Sequence, residues 1–470
     1  MNSPDDVRLP QALALPHIPH PADNAITAIP LGGCARIGMN ATLYGSKGRW
    51  ILVDAGSAFP EDKKSRIQAL LPDLEILEAL GDRLEALVVT HAHEDHIGAV
   101  QHLWPRLRCP IHATPFAAAL LEIRLEEDRL KGKVRVERYV PGQRLHLGPF
   151  DVETVPMSHS IPESTALCLE AAGVRVVHSG DWKLDPTPLL GRPTDLARLR
   201  ALGSLGVDAL LCDSTNAGKP GRAGSEAHVA LGIAAVCREA KGMVVVAGFS
   251  SHLARMAGVA AAAVRDGRHV GFTGRSMARV VEAGIRAGYV ADPKAFLDLP
   301  HLAKIPPRHR LLLATGAQGE KGGGLDRLLA GQISVHLGRS DVLVLAARTI
   351  PGNERLVARI ASRARAVGAR VVRNDETFGP HAWPVHVSGH ACQDDLAALY
   401  EALRPRALVP VHGSPEHIAA HAAFGTSRGI GTVLPPVDGQ ILEIRRDGIR
   451  AAGGVALRPW AWDGRRIHLA

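Results

Sequence analysis

The sequence predicts an α/β protein: a layered domain of short strands and helices, with a second α/β domain built on a parallel sheet inserted into it. Three observations lead there. From Ala25 onward, short apolar runs alternate with turn residues and with stretches of helical periodicity, the pattern of packed mixed layers. After Asp213-Ser214-Thr215-Asn216 the apolar runs become fully hydrophobic and are separated by Ala- and Arg-rich helical segments, as in a parallel sheet with crossover helices. After about Arg370, strand-and-histidine segments return, so the first domain is interrupted and then resumes.

Residues 1–23 are Pro-rich and without periodicity, and they read as a loosely held arm. The first part of the layered domain spans 24–212. Its expected strands are Thr42–Tyr44, Trp50–Val53 (ending at Asp54-Ala55-Gly56), Leu84–Thr90, Val152–Val155, Ala166–Glu170 and Val174–His178, and Ala117–Asp128 has helical periodicity. The inserted domain spans 213–368, with strands at Met243–Ala247, His269–Phe272, Arg310–Ala314 and Asp341–Ala346. The second part spans 369–470, with strands at Val385-His386-Val387 and Ala407–His412, and a tail from Val433 to Ala470 long enough for a few closing strands.

The 470 residues suit two or three domains at ~150 residues each. Lys plus Arg number 55 against 47 Asp plus Glu, a net charge of +8 that suits an anionic partner such as nucleic acid. Aromatics at 4% argue against base-stacking platforms. The six cysteines are scattered without a C-x-x-C pair, which points away from a disulfide framework and from a thiolate zinc site. No apolar run reaches the ~20 residues that span a bilayer. The N-terminus, with Asp5, Asp6 and several prolines, lacks a basic-then-apolar leader, so a cytoplasmic protein with no membrane contact is expected.

Histidine is the unusual component, at 23 residues. Thr90-His91-Ala92-His93-Glu94-Asp95-His96 follows a buried strand directly. In such a loop His91 and His93 project to one side and Asp95 and His96 elsewhere, so one loop can serve two metal ions. Imidazole and carboxylate ligands suit zinc, or manganese where oxygen dominates. Four polar residues merely decorating a surface turn would not need a core strand to deliver them. His159, Asp181 and His412 each follow an apolar strand, where the sites of α/β sheets gather. Gly180 before Asp181 lets the backbone approach closely.

His91-x-His93-x-Asp95-His96, then His159 and Asp181, preceded by Asp54, resembles the signature of the metallo-β-lactamase superfamily. The longer wording resembles ribonuclease J of its β-CASP branch: Gly32-Gly33 through Ile37-Gly38-Met39-Asn40, THAHEDHIGA, SHSIPES, HSGDWKLDPTP, DSTNAGKPG, Gly274-Arg275-Ser276-Met277, TGAQGE, IPGNE, HVSGHACQDDL and PVHG. These motifs run in order from about Ile29 to Gly413.

The resemblance implies a metallo-β-lactamase αββα sandwich with an inserted β-CASP α/β domain, and two zinc ions, with manganese or magnesium as alternatives. His91, His93, His159 and Asp181 would hold one ion; Asp95, His96, Asp181 and His412 would hold the other. A hydroxide shared by the two cations would attack phosphorus in line. His390 matches the histidine placed to protonate the leaving oxygen, and His386 and Ser388, at alternate positions with it, would grip the phosphate. Asp213 matches the acidic residue that orients that histidine, and Asp54 would steady a ligand histidine. Ser251, Arg275 and Ser276 fall where the family lines its RNA channel. Histidine at position 412 favours RNA, since the DNA-cutting members carry valine there. His112, His178, His252 and Cys392 are left as structural. The implied activity is 5′→3′ exonucleolytic, with endonucleolytic cutting open; so is a homodimer.

Some positions depart from the pattern. Arg36 stands where the family has an acidic residue, Phe249-Ser250-Ser251-His252-Leu253-Ala254-Arg255 replaces a stretch like FASNIHR, and Lys321-Gly322-Gly323-Gly324 replaces a run containing Pro-Met. Only some fifty residues follow Pro415, whereas the family commonly carries a further C-terminal domain. Two rival functions stand beside the ribonuclease: a DNA or small-molecule phosphodiesterase, and a catalytically inactive RNA-binding subunit. The inserted domain speaks against a lactonase, and the complete ligand set against the inactive subunit.

Overall fold

The computed structural model describes residues 18–470 apart from 35, 61–64, 131, 291–294 and 351. Residues 1–17 of the expected arm lie outside that range. Its described end is held, because Ile18 is buried in a cluster with Ile29, Leu31 and Trp50.

Two sheets stack face to face. The first, of eight strands among the described residues, contains Ile26–Gly32, Ala41–Ser46, Arg49–Val53 and Leu84–Val88, and the C-terminal strands Gln440–Arg445 and Gly448–Gly454 extend it beyond Ile26–Gly32. The second, of seven, contains Phe150–Pro156, Thr165–Ala171, Val174–His178, Ala209–Asp213 and Ala407–Val411. Strand residues alternate between faces, so Tyr44, Ile51, Val53 and Val88 of the first sheet meet Val152, Leu167, Val176, Leu211 and Val409 of the second in one core. Helices Val100–Leu107 and Pro115–Glu127 cover the outer face of the first sheet, and Leu196–Leu205 with Gln393–Leu403 that of the second. The protein is thus an αββα sandwich.

Register places the strand ends level. Val174–His178, Ala209–Asp213 and Ala407–Val411 run parallel, with His178 opposite Leu211 and Asp213 opposite Val411. In the first sheet Val53 lies opposite Val88. The chain therefore leaves five strands at one edge of the sandwich, just before Asp54, His91, Asp181, Ser214 and His412.

The inserted sheet is parallel throughout, running from the short strand Phe296–Leu297 through His269–Thr273, Arg310–Ala314, Val244–Ala247 and Val342–Leu345 to Arg370–Val372. Its apolar strands are buried on both faces. Helices Glu226–Glu239, Leu253–Arg265 and Arg275–Arg286 pack on one, and Gly324–Leu329 with Glu354–Ala366 on the other. Arg275–Arg286 also lies along Pro115–Glu127 of the sandwich, with Arg279–Glu127 and Arg286–Glu126 ion pairs.

Two expected strands differ. Leu84–Thr90 stops at Val88, because Thr90 N donates to the Asp54 carboxylate at 2.7 Å and so leaves the ladder. Val385-His386-Val387 is not a strand; after the short strand Trp383–Pro384 the chain loops to the helix Gln393–Leu403. The carbonyls of Val387 and Gly389 accept from the side chains of Arg255 and His159, partners that a neighbouring strand would otherwise replace.

Beneath the second sheet His421 is fully buried between the Ser214 hydroxyl, 2.8 Å from Nδ1, and the Tyr400 hydroxyl, 2.6 Å from Nε2. Burial pushes its imidazole from the ordinary 6.5 down to about 4. Above pH 6.5 neither folded nor unfolded chain is protonated there. As the pH falls from 6.5 to 4 the unfolded chain takes up a proton that the fold refuses, and up to about 3 kcal/mol of stability is lost. Urea unfolding between pH 7 and 4.5 should show a steeper loss for wild type than for His421→Gln; parallel curves would rule this out.

Candidate metal centre

The level strand ends deliver a cluster of imidazoles and carboxylates. Among the described residues, three groups of donors each lie within 4.8 Å of one another: His91, His93, His159 and Asp181; Asp95, His96, Asp181 and His412; and Asp181, Asp213, His390 and His412. The first two coincide with the sets expected from the sequence. The third was not anticipated as a donor group, since Asp213 and His390 were expected beside the ions.

His93 Nδ1 lies 3.2 Å from His91 Nε2 and 3.1 Å from His159 Nε2. A cation bound tetrahedrally at ~2.0–2.1 Å holds its nitrogen ligands about 3.3 Å apart, so this spacing fits a shared ion. Asp181 sits between the groups: its Oδ2 is 3.6 Å from His91 Nε2, 3.3 Å from His96 Nε2 and 3.8 Å from His159 Nε2. Its Oδ1 is 2.6 Å from His412 Nδ1, and His412 Nε2 is 3.2 Å from Asp95 Oδ2. Yet both Asp181 oxygens and both His412 nitrogens are buried and none is oriented for a hydrogen bond. Buried polar atoms left this way are costly. A divalent cation coordinated by them removes that cost, and the all-nitrogen-and-oxygen donor set fits one.

Neighbouring groups fix each ring. Asp54 takes Thr90 N on Oδ1 and both the Thr90 hydroxyl (2.8 Å) and His96 Nδ1 (2.7 Å) on Oδ2. That leaves His96 Nε2 aimed at the cluster, where Asn40 Nδ2 reaches it at 3.1 Å. Asp54 adopts a φ of 61°, a strained conformation for a residue with a side chain and one that marks functional positions. His159 Nδ1 donates to Gly389 O at 2.7 Å, directing Nε2 inward. Gly389 packs so closely that a Cβ would lie 2.9 Å from His159 Cε1. Gly180 has a φ of +56°, and a Cβ there would meet Thr165 O at 2.8 Å, so the close backbone approach read from the sequence is present.

The protonation pattern of the first donor group suits a cation site. Burial, reinforced by neighbouring imidazoles, holds His91 and His159 well below the usual range, and burial takes His93 to about 4. Burial opposes ionisation of Asp181, but His412 and His96 overcome it and hold the carboxyl well below its usual value. Burial opposes protonation of His96 and His412 too, but Asp181 and Asp95 hold both well above the usual imidazole range. The second group would therefore release protons as a cation binds, because a metal requires neutral imidazoles beside ionised carboxylates.

His390 Nδ1 donates to Asp213 Oδ2 at 2.8 Å, and Asp213 Oδ1 accepts from Thr215 N and Oγ1 at 2.9 and 2.7 Å. Ser388 Oγ is held at 2.6 Å by Asn216 Nδ2. His386 does not join the cluster: its Nδ1 faces Arg255 at 2.9 Å. The three residues therefore lie on a loop and point to different partners, unlike the aligned strand that was expected. Ser251 lies in the turn after Val244–Ala247, and the exposed Arg275 and Ser276 open the helix after His269–Thr273. All three sit at carboxyl ends of the parallel strands, outside the cluster. Sequence reasoning misses Asn40, Thr90, Asn216, Glu226 and Arg255 as individuals, although Asn40, Thr90 and Asn216 stand inside quoted motifs and Arg255 closes the quoted stretch from Phe249. The six cysteines are buried and unpaired, and no described helix is long and apolar enough to cross a membrane.

Family profiles match along the chain: the metallo-beta-lactamase superfamily over 37–211, the beta-CASP domain of ribonuclease J over 241–363, and the Zn-dependent metallo-hydrolase RNA specificity domain over 383–435. Ribonuclease J of Sinorhizobium meliloti is 38% identical over 427 residues, covering 90% of this chain and 75% of the relative. That of Mycolicibacterium smegmatis is 40% identical over 413 residues, covering 87% and 72%, and that of Mycobacterium tuberculosis is 38% identical over 404, covering 85% and 71%. A crystal structure of a protein of unknown function from Enterococcus faecalis superposes with a TM-score of 0.60 at 14% identity, covering 89% of this chain and all (100%) of that one, a likeness of fold. The chain belongs to the ribonuclease J family, metal-dependent enzymes in which a β-CASP domain interrupts a metallo-β-lactamase sandwich.

Proposed function

We propose that this ribonuclease works with two zinc ions, one held by His91, His93, His159 and Asp181, the other by Asp95, His96, Asp181 and His412, and degrades RNA from its 5′ end. The observation that carries the reading is Asp181, whose two buried and unpaired oxygens face both donor groups. The zinc-dependent RNA specificity profile over 383–435 supports the choice of metal and of substrate. Such ions, when bound, supply Lewis acids for the phosphoryl oxygens and a water-derived nucleophile at neutral pH.

The chain's own groups do the rest. His390, with Nδ1 tied to Asp213, keeps Nε2 free to give a proton to the leaving 3′ oxygen. The Ser388 hydroxyl, set by Asn216, and the His386 ring bind phosphate. Ser251, Arg275 and Ser276 meet the strand further along, at the carboxyl ends of the inserted sheet where ligands of α/β folds bind. Asp54 holds His96 through Nδ1. Asp54→Ala is therefore expected to weaken zinc affinity about 10–100-fold in a competition titration with a chromophoric chelator; unchanged affinity would remove Asp54 from this role.

The test is a time course on 5′-monophosphorylated, 3′-labelled RNA and its DNA copy, with metal content measured on the same protein. Shortening of RNA alone, with about two zinc ions per chain, is the expected result. Equal cutting of DNA would widen the substrate class, and no cutting despite full loading would favour a small substrate or a binding role.

A further inference from the structure

Arg255 lies in the helix Leu253–Arg265 of the inserted domain and is only 4% exposed. A guanidinium has five N–H donors and no acceptor, and here all five are used. Nε–H and one Nη2–H go to the Glu226 carboxylate at 3.1 and 2.6 Å. The second Nη2–H goes to Val387 O at 3.0 Å, and one Nη1–H to Ala346 O at 2.6 Å. The last Nη1–H meets His386 Nδ1 at 2.9 Å. Glu226 is itself fixed: its Oε1 takes His252 Nε2 at 3.1 Å, and its backbone N–H goes to the Asp185 carboxylate at 3.2 Å.

Only a lone pair can face that last N–H. A proton on His386 Nδ1 would set donor against donor, so the ring must carry its single proton on Nε2. We propose that Arg255 is a positioning residue that holds His386 as the neutral, Nε2-protonated imidazole and so makes it a fixed N–H donor to a substrate phosphoryl oxygen. The proposal rests on the reading above that His386 touches phosphate. The charged and titratable groups facing His386 are Arg255 and His252 at and before the helix Leu253–Arg265 and Glu226 on the helix Glu226–Glu239. Burial first, and then the Arg255 charge, push the imidazole down to about 3, which agrees with the geometry. Four residues on, His390 has the opposite partner, a carboxylate on Nδ1, which tolerates a second ring proton. The two histidines of one loop thus receive different tasks from their neighbours: His386 binds without titrating, and His390 exchanges a proton.

The decisive experiment reads the wild-type ring. In the full chain labelled with 15N-histidine, the His386 ring signals, assigned by their loss in His386→Gln, are followed from pH 8 to 5. An Nε2–H pattern without a midpoint in that range is expected. An Nδ1–H pattern, or a midpoint above pH 5.5, would overturn the proposal. Arg255→Lys keeps the charge but not the five-donor fork, and should raise KM for 5′-monophosphorylated RNA about tenfold while kcat stays within about twofold, with His386 now titrating. An unaltered KM and ring pattern in that variant would also overturn it. His386→Gln separates the two levels of argument. If it leaves KM unaltered, the phosphate-contact reading falls; if it raises KM while the wild-type ring titrates ordinarily, only the role of Arg255 falls.

Discussion

Asp181→Asn should lower RNA hydrolysis at least about 10³-fold, roughly 4 kcal/mol of lost transition-state stabilisation. Asp181 is the one residue common to all three donor groups. Asparagine keeps the volume but removes the charge, and its amide places an N–H₂ group among imidazole nitrogens at 3.3–3.8 Å. The first group of ligands then has no carboxylate, and the second keeps only that of Asp95. The fold should persist, because Asp181 is held into the sandwich by its backbone, whose carbonyl accepts from the Ser164 hydroxyl at 2.7 Å. The checks are the initial rate on labelled RNA, circular dichroism and metal per chain. A variant that keeps more than about a tenth of the wild-type rate would show that Asp181 does not serve both ions, since losing a shared ligand costs more than the 10–100-fold of an outer contact.

Much of this centre is legible in the residues because strand ends announce themselves. An apolar run followed at once by His91-Ala92-His93-Glu94-Asp95-His96, and others followed by His159, Asp181 and His412, says that a core edge is being loaded with donors. Parallel register then brings the ends before His91, Asp181 and His412 level, and two antiparallel pairings through Thr165–Ala171 do the same for the strand before His159. The loop 385–390 reads as a strand for an equally physical reason. Polar and apolar residues alternate there as they do in a strand, but the backbone partners that decide its conformation are Arg255 and His159, 132 and 230 residues away. The same holds for Glu226 and Arg255. Charged residues in helices normally read as solvated faces, and nothing local reveals that both are below 5% exposed, at 2% and 4%.

That burial makes Glu226 the site of the largest stability effect expected. Glu226→Ala should cost about 3–5 kcal/mol, because deleting one partner leaves the Arg255 charge buried with two of its five donors unmatched. The loss of an acidic residue from the first turn of the helix Glu226–Glu239 adds a smaller term of ~0.3–1 kcal/mol. Replacing both partners together, as Glu226→Met with Arg255→Met, removes the unpaired charge as well as the pair. Buried ion pairs exchanged for apolar residues of similar volume are often neutral or stabilising, so the double variant should be more stable than Glu226→Ala in urea unfolding. It should nevertheless bind RNA poorly, because His386 has lost the N–H that fixes its ring. A double variant less stable than the single one would mean that the network holds the inserted domain to the loop 385–390 through its hydrogen bonds to Val387 O and His386 Nδ1. If it is more stable yet binds RNA weakly, the charge pair is kept for the substrate site, at a cost to the fold.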